Sequence, residues 1–324
     1  MNSKFPLGFY PTPLEKLKNL SKMFSNYTIY MKRDDQTGLA TGGNKTRKLE
    51  YLIQDALNKN CDTIITAGAQ QSNHCRQTAA ACVKANLDCH LLLGGFEPET
   101  YNGNLFLSKK LNANIHFTGD NRKGEDFEIL YNKLSKQGLK PYIIPYGGSN
   151  FFGSLGYVDA VKELKKQLKV QNIKIDAIFF ASSSGGTQAG IHLGKLIYNL
   201  KAKLYPISVD KNDFIDESIY KKLTSIVEEG IEKFNLNTTP SHKDYQLIED
   251  YNNAGYGVVT KQEVEAIDLL AKTEGILLDP VYTGRAFYGM IDMLQHHKIK
   301  ENSTILFWHT GGTPALFNHI KELS

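Results

Sequence analysis

The sequence predicts an α/β fold in which parallel strands are covered by helices on both faces. Short apolar runs of strand length alternate with amphipathic segments along almost all of the 324 residues. Polar, glycine-rich clusters also stand where strands turn into helices, which is where such sheets bind ligands. Strands are predicted at Thr28–Lys32, Thr63–Thr66, Cys89–Leu93, Asn114–Phe117, Tyr142–Ile144, Asp176–Phe180, Leu204–Val209 and Thr304–Trp308. Helical patterns fall at 44–59, 73–85, 103–112, 124–137, 154–169, 187–199, 261–274 and 284–297. The first is typical, with Leu49, Leu52, Ile53, Ala56 and Leu57 at helical spacing on one face. Between 211 and 258 no period is clear, and Asn-Thr-Thr-Pro-Ser at 237–241 interrupts any pattern.

The length suggests about two domains. A hydrophobic content of 41% and a charged content of 22% are those of an ordinary globular protein. The formal net charge of +4 is spread along the chain, so no basic cluster points to nucleic acid or an anionic membrane. No run approaches the ~20 apolar residues that span a bilayer, and residues 1–10 do not read as a signal peptide. The compartment expected is the cytoplasm. The four cysteines, Cys61, Cys75, Cys82 and Cys89, form no CxxC pair and read as structural thiols, with no metal site.

Four turns carry candidate chemistry. Thr41-Gly42-Gly43-Asn44-Lys45 places a lysine in or near a first helical turn, where the helix dipole disfavours a cation. An exposed helix-start lysine would be the bland explanation; a phosphate-binding or Schiff-base lysine is the chemical one. Gln70-Gln71-Ser72-Asn73-His74 follows a strand, and capping accounts for only one of these polar residues. Free N–H groups at such a helix start can hold a carboxylate. Ser182-Ser183-Ser184-Gly185-Gly186-Thr187 lies between strand and helix and forms a backbone nest for an anion. Several bonds to a charged phosphate, at ~1.5–3 kcal/mol each, outweigh the dipole's ~0.3–1 kcal/mol. The fourth is Tyr282-Thr283-Gly284-Arg285 with His309-Thr310-Gly311-Gly312-Thr313, where capping leaves Tyr282, Thr283 and Thr310 unaccounted for. Neither the GxxxxGK[ST] loop nor GxGxxG is present, which disfavours nucleotides. A lysine, an anion nest and a carboxylate-binding helix start fit pyridoxal 5'-phosphate (PLP) better.

Together these segments, with Tyr10-Pro11-Thr12-Pro13-Leu14 and Lys32-Arg33-Asp34-Asp35, resemble the fold-type II PLP enzymes. Within these, the chain resembles the 1-aminocyclopropane-1-carboxylate deaminase/D-cysteine desulfhydrase family. The resemblance implies a tryptophan synthase β-like architecture of two open, twisted, mostly parallel sheets flanked by helices. It also implies a larger PLP-binding domain (1–48 and 161–324), a smaller inserted domain (49–160) and a homodimer. By the same resemblance, Lys45 carries the cofactor and acts as base, while Lys48, Ser184, Gly185, Gly186 and Thr187 hold the phosphate. Asn73, Thr283 and Thr310 lie beside the cofactor. Ser72, Asn73, His74, Tyr256 and Tyr282 meet the substrate, with Ser72 and Tyr282 catalytic.

Threonine at 283 and 310, where ring-opening deaminases carry glutamate and leucine, points to PLP-dependent α,β-elimination of D-cysteine to pyruvate, hydrogen sulfide and ammonia. The alternatives are the cyclopropane deaminase, a lyase on another β-substituted amino acid such as L-cysteate, or a non-catalytic PLP carrier. Two departures bear on substrate choice. Val258 and Val259 follow Tyr256-Gly257 where the family often has proline and asparagine, and Arg285 stands in place of the usual lysine.

Overall fold

The computed structural model describes residues 3–210, 219–239 and 242–324. Its nine strands among those residues form two sheets. The larger has the order β1 (Leu14–Lys16), β2 (Thr28–Arg33), β9 (Thr304–His309), β7 (Ala177–Ser182) and β8 (Lys203–Ser208). All its pairings are parallel except β1 with β2. The smaller, wholly parallel, has the order β5 (Asn114–Phe117), β4 (Asp88–Gly94), β3 (Thr63–Ala69) and β6 (Pro141–Ile143).

Both sheets are buried on both faces, as parallel strands require. Along β9, Ile305 and Phe307 join the core beneath α9 (Lys261–Glu274) and α10 (Thr283–Gln295). Leu306 and Trp308 point the other way, into the core beneath α6 (Phe151–Val170) and α7 (Gly186–Ile197). The smaller sheet is covered by α2 (Lys45–Asn58) and α3 (Asn73–Ala85) on one side and by α5 (Phe127–Lys136) on the other. Cys75, Cys82 and Cys89 are buried and unpaired in that first layer, as structural thiols should be.

Every predicted strand and helix is present, with ends shifted by a few residues. Residues 103–112 give α4 (Gly103–Lys110). Helix α6 starts at Phe151 because the Asn150 side chain accepts the Gly153 N–H at 2.9 Å and caps it. Unforeseen are β1, α1 (Lys18–Met23), α8 (Ile219–Lys233) and the last turn α11 (Ile320–Leu323). α8 buries Ile219, Leu223, Ile226, Val227 and Gly230, a helical stripe concealed by the polar sequence around it. Part of that aperiodic region, residues 211–218 and 240–241, lies outside the described residues.

The carboxyl end of β2 is held by a buried ionic cluster. Asp34 accepts from Thr12 Oγ1 (2.8 Å), Arg47 Nε and Nη2 (both 2.9 Å), Tyr157 Oη (2.9 Å) and Trp308 Nε1 (2.8 Å). Arg47 also reaches Glu163 at 3.0 and 3.1 Å, and the fully buried Lys32 binds the same carboxylate. Burial raises the Asp34 pKa, but the adjacent Arg47 and Lys32 charges and these hydrogen bonds outweigh it and hold the carboxyl at about 2. Because that value lies below the ~3.9 of an unfolded aspartate, the carboxylate stabilises the fold fully above about pH 4. The contribution drains away as pH falls through 4 towards 2. Asp34→Asn, which leaves Arg47 and Lys32 undercompensated in the interior, should cost ~3–5 kcal/mol at pH 7 in a denaturant titration. The deficit should shrink on acidification; a deficit constant down to pH 3 would contradict this account.

Candidate active site

The carboxyl edges of the two sheets face one another across a cleft. Thr310 and Gly311 follow β9, Ser182–Gly185 end β7, Ser72–His74 follow β3, and Tyr146 and Gly147 follow β6. Asn44, Lys45, Thr187, Gln188 and Tyr282 complete its lining, so four different strand ends build one site.

Lys45 is the first residue of α2, and its Nζ lies 3.3 Å from the Gly147 carbonyl. Burial depresses its pKa to about 8. One turn on, fully buried Lys48 donates to Gly147 O (2.9 Å) and Ser149 Oγ (3.3 Å). Burial, and then the charge of Lys45, push its pKa well down. Two lysines thus stand together, and no carboxylate appears among the lining residues. That donor set calls for an anion. The loop at 182–187 is shaped for one: a Cβ on Gly186 would lie 2.7 Å from Ser149 Oγ and 2.8 Å from Lys48 Nζ. Gly185, at φ +79, turns the chain into α7, whose start borders the cleft through Gly185 and Thr187. Ser149 Oγ ties the two loops together, donating to Ser184 Oγ at 2.8 Å and accepting Gly186 N–H at 3.2 Å. Asn44 bridges two more walls, with Nδ2 on Thr187 Oγ1 (3.1 Å) and its N–H on Thr310 O (2.9 Å).

On the opposite wall Ser72 caps α3, accepting Cys75 N–H at 3.2 Å. Asn73 Oδ1 is held by Asn104 Nδ2 at 2.8 Å. Thr66 Oγ1 donates to Ile144 O, so its contact at 2.9 Å with His74 Nε2 needs the proton on Nε2. His74 Nδ1 is then a buried acceptor without a partner. Burial, reinforced by Lys45 and Lys48, keeps the ring neutral.

The structure therefore gathers Lys45, Ser72, Asn73, His74, Ser184, Gly185, Thr187, Tyr282 and Thr310 around one space. Lys48 and Gly186 lie immediately behind it. Tyr256 is outside the lining but bonds Tyr282 hydroxyl to hydroxyl at 2.6 Å. Thr283 is set apart: fully buried, it donates to Asp279 Oδ1 at 2.7 Å, and its Oγ1 accepts Asp279 N–H at 2.8 Å. Asp279 also accepts the N–H groups of Val281, Tyr282 and Thr283, so it caps α10. The residues not singled out from sequence are Asn44, Tyr146, Gly147, Ser149 and Asp279. Nothing local in Gly147-Gly148-Ser149 shows that it folds back onto the lysines.

Such a site, between the carboxyl edges of two α/β sheets, is that of an enzyme holding an anionic ligand against a half-buried lysine whose pKa is lowered. Residues 6–311 match the family model described as pyridoxal-phosphate dependent enzyme. The chain is 42% identical over 318 residues to D-cysteine desulfhydrase of Yersinia enterocolitica serotype O:8 / biotype 1B (strain NCTC 13174 / 8081), covering 96% of this chain and 94% of that protein. It is 42% identical over 319 residues to D-cysteine desulfhydrase of Klebsiella pneumoniae (strain 342), covering 97% and 95%. A crystal structure of an ACC deaminase homologue superposes with a TM-score of 0.90 at 37% identity, covering 99% of this chain and 95% of that one. The chain belongs to the pyridoxal-phosphate dependent enzyme family, with the fold-type II architecture. Among the described residues no helix is long and apolar enough to cross a membrane, and no group of His, Cys, Asp and Glu could hold a metal.

Arg285 does not line the cleft. Fully buried, it pairs with Glu263 (2.7 Å) and donates to the carbonyls of Val209 (3.0 Å), Gly255 (2.8 Å) and Val258 (2.7 Å). It thereby fixes the turn that carries Tyr256. A lysine keeps the charge but cannot serve these directions at once. Arg285→Lys should lower stability by ~1–3 kcal/mol and raise KM several-fold with a smaller change in kcat. Denaturant titration and steady-state kinetics check both.

Proposed function

We propose that this chain catalyses PLP-dependent α,β-elimination of D-cysteine, releasing pyruvate, hydrogen sulfide and ammonia. The observation that carries the reading is a cleft with Lys45 and many hydroxyls but no carboxylate in its lining, and with Lys48 directly behind it. When bound, PLP supplies an electron sink for the substrate's α-carbon. With no carboxylate in the lining and neutral hydroxyls such as that of Thr310 among its groups, that sink would be a moderate one, sufficient for a leaving group as good as a thiolate. Opening a carbon ring asks for more. The names of the two relatives support the same choice.

In this reading Lys48 and the N–H and hydroxyl groups of Ser184, Gly185, Gly186 and Thr187 hold the phosphate, and Asn73 lies along the cofactor. Ser72 and the free N–H groups at the start of α3 orient the substrate carboxylate, and neutral His74 lines the wall beside them, its Nδ1 able to accept a proton donor of the substrate and not to bind the carboxylate. Lys45 Nζ carries the cofactor and takes the proton from Cα. With a pKa of about 8 it is half neutral at pH 8, against well under 1% for a lysine at ~10.4. Tyr282, hydrogen-bonded to Tyr256, borders the substrate and is placed to give or receive a proton at its hydroxyl. The reading includes a cytoplasmic homodimer, and a division into 49–160 and the rest, for which the two sheets are the support. Thr283 serves it indirectly, by keeping the buried Asp279 occupied.

The holoenzyme should release pyruvate from D-cysteine with a higher kcat/KM than from L-cysteine, L-cysteate or β-chloroalanine. It should also exceed ammonia release from 1-aminocyclopropane-1-carboxylate. Lys45→Ala should cut turnover by at least ~10²–10⁴-fold and abolish borohydride trapping of cofactor on that peptide, read by mass spectrometry. A faster reaction with the cyclopropane substrate would overturn the assignment.

A further inference from the structure

Resting on that reading, one cation beside the cleft is unused by the steps above. Arg122 lies on the loop between β5 and α5. That loop is an ordered structure: Asn121 N–H donates to Thr118 O at 3.1 Å, and the Asn121 amide binds the Asp126 carboxylate at 3.1 and 3.2 Å. The loop packs on the end of β4, where a Cβ on Gly94 would stand 2.6 Å from that of Arg122. From there the arginine crosses to the other sheet's side of the cleft. Its guanidinium carbon sits 4.5 Å from the Tyr256 ring centroid, Nη1 is 3.5 Å from Tyr146 Oη, and Nη2 is 3.5 Å from Asp210 Oδ2. Tyr146 lines the cleft, and Tyr256 bonds Tyr282, which also lines it.

None of these contacts neutralises the charge well. Both hydrogen bonds are at the outer limit of length, the Asp210 pair is a single contact, and the Arg122 side chain is 28% exposed. The guanidinium therefore projects positive potential through a layer of three phenols onto the space beside Tyr282. The start of α3 is assigned to the substrate carboxylate, which leaves the space beside Tyr282, the one the arginine backs, for the other end of a bound amino acid.

We propose that Arg122 sets the charge class of the β-substituent accepted by the cleft. It favours groups that are anionic or depart as anions, and disfavours cationic ones. The chemistry is consistent with this. When a C–S bond breaks, its electron pair leaves with sulfur as hydrosulfide, and the α-proton is already on the base. A nearby cation stabilises that departing anion, whereas a β-ammonium group would be repelled. Arg122 acts from behind the tyrosines, as a positioning and electrostatic residue.

The test separates charge from shape. D-aspartate and D-asparagine are near-isosteric, differ by one negative charge and lack a good β-leaving group, so their dissociation constants can be read on the holoenzyme by spectral titration. Wild type should prefer D-aspartate, and D-2,3-diaminopropionate should bind worst. Arg122→Gln should weaken D-aspartate about tenfold, leave D-asparagine within about twofold and improve the diamine. Arg122→Lys should retain the wild-type order. Equal weakening of all three ligands, or no change, would overturn the proposal and leave Arg122 a structural contact. A holoenzyme that shows this charge preference but does not eliminate D-cysteine would remove the reaction assignment alone.

Discussion

A single buried carboxylate organises the half of the molecule on which the site depends. Asp34 draws in one donor from the N-terminal segment, one from α6, one from β9 and two from Arg47. Arg47 sits between Lys45 and Lys48. In a helix, residues three apart share a face and a residue between them points elsewhere. Clamping Arg47 to Asp34 on one side of α2 therefore turns both lysines toward the cleft on the other. The position of the reactive amine follows from an ion pair that never touches the ligand.

The same partition governs charge. Asp34 and Glu163 are matched by Arg47 and Lys32 behind the helix, so their field is largely spent there. Asp279 lies close to the Gly312 turn but is occupied by three N–H groups and the Thr283 hydroxyl. In front of the helix remain two desolvated amines and a ring of hydroxyls and amides. Desolvation alone accounts for the main fall in the Lys45 pKa, and the neighbouring amine adds to that of Lys48. A site so built binds an anion strongly and keeps a base available near neutral pH.

Much of this was legible in the chain because it is local. The periodicity of 44–59, the capping residues before 73 and the serine–glycine turn at 182–187 each encode their own geometry, and each occurs where read. The part Tyr146–Ser149 takes in the site was not legible, since its closure onto Lys45 and Lys48 depends on β3 pairing with β6 far along the sequence. Thr283 illustrates the opposite failure. Its position suggested a cofactor contact, yet the competing local partner four residues earlier, Asp279, takes its hydroxyl. Arg122 carried no positional signal of role, and Arg285 stood out only as a departure from the usual lysine, because an arginine's reach lets partners from other elements decide what it does.

The division of the walls explains how one scaffold can hold its cofactor firmly and still vary its reaction. The anion cradle is made of backbone N–H groups, glycines and Lys48, where almost any side chain added would collide. The rest of the cleft is lined instead by side chains on helix starts and turns, Ser72, Tyr282 and Thr310, with Tyr256 and Arg122 behind Tyr282. Each of these can change without disturbing the sheets, because its neighbours are other side chains and not ladder hydrogen bonds. Arg285 limits that freedom. By holding the Gly255 and Val258 carbonyls at the turn that bears Tyr256, and the Val209 carbonyl just after β8, it couples that turn to the core under α10. Changes of specificity at that turn must therefore keep an arginine's geometry, or supply another partner for those carbonyls.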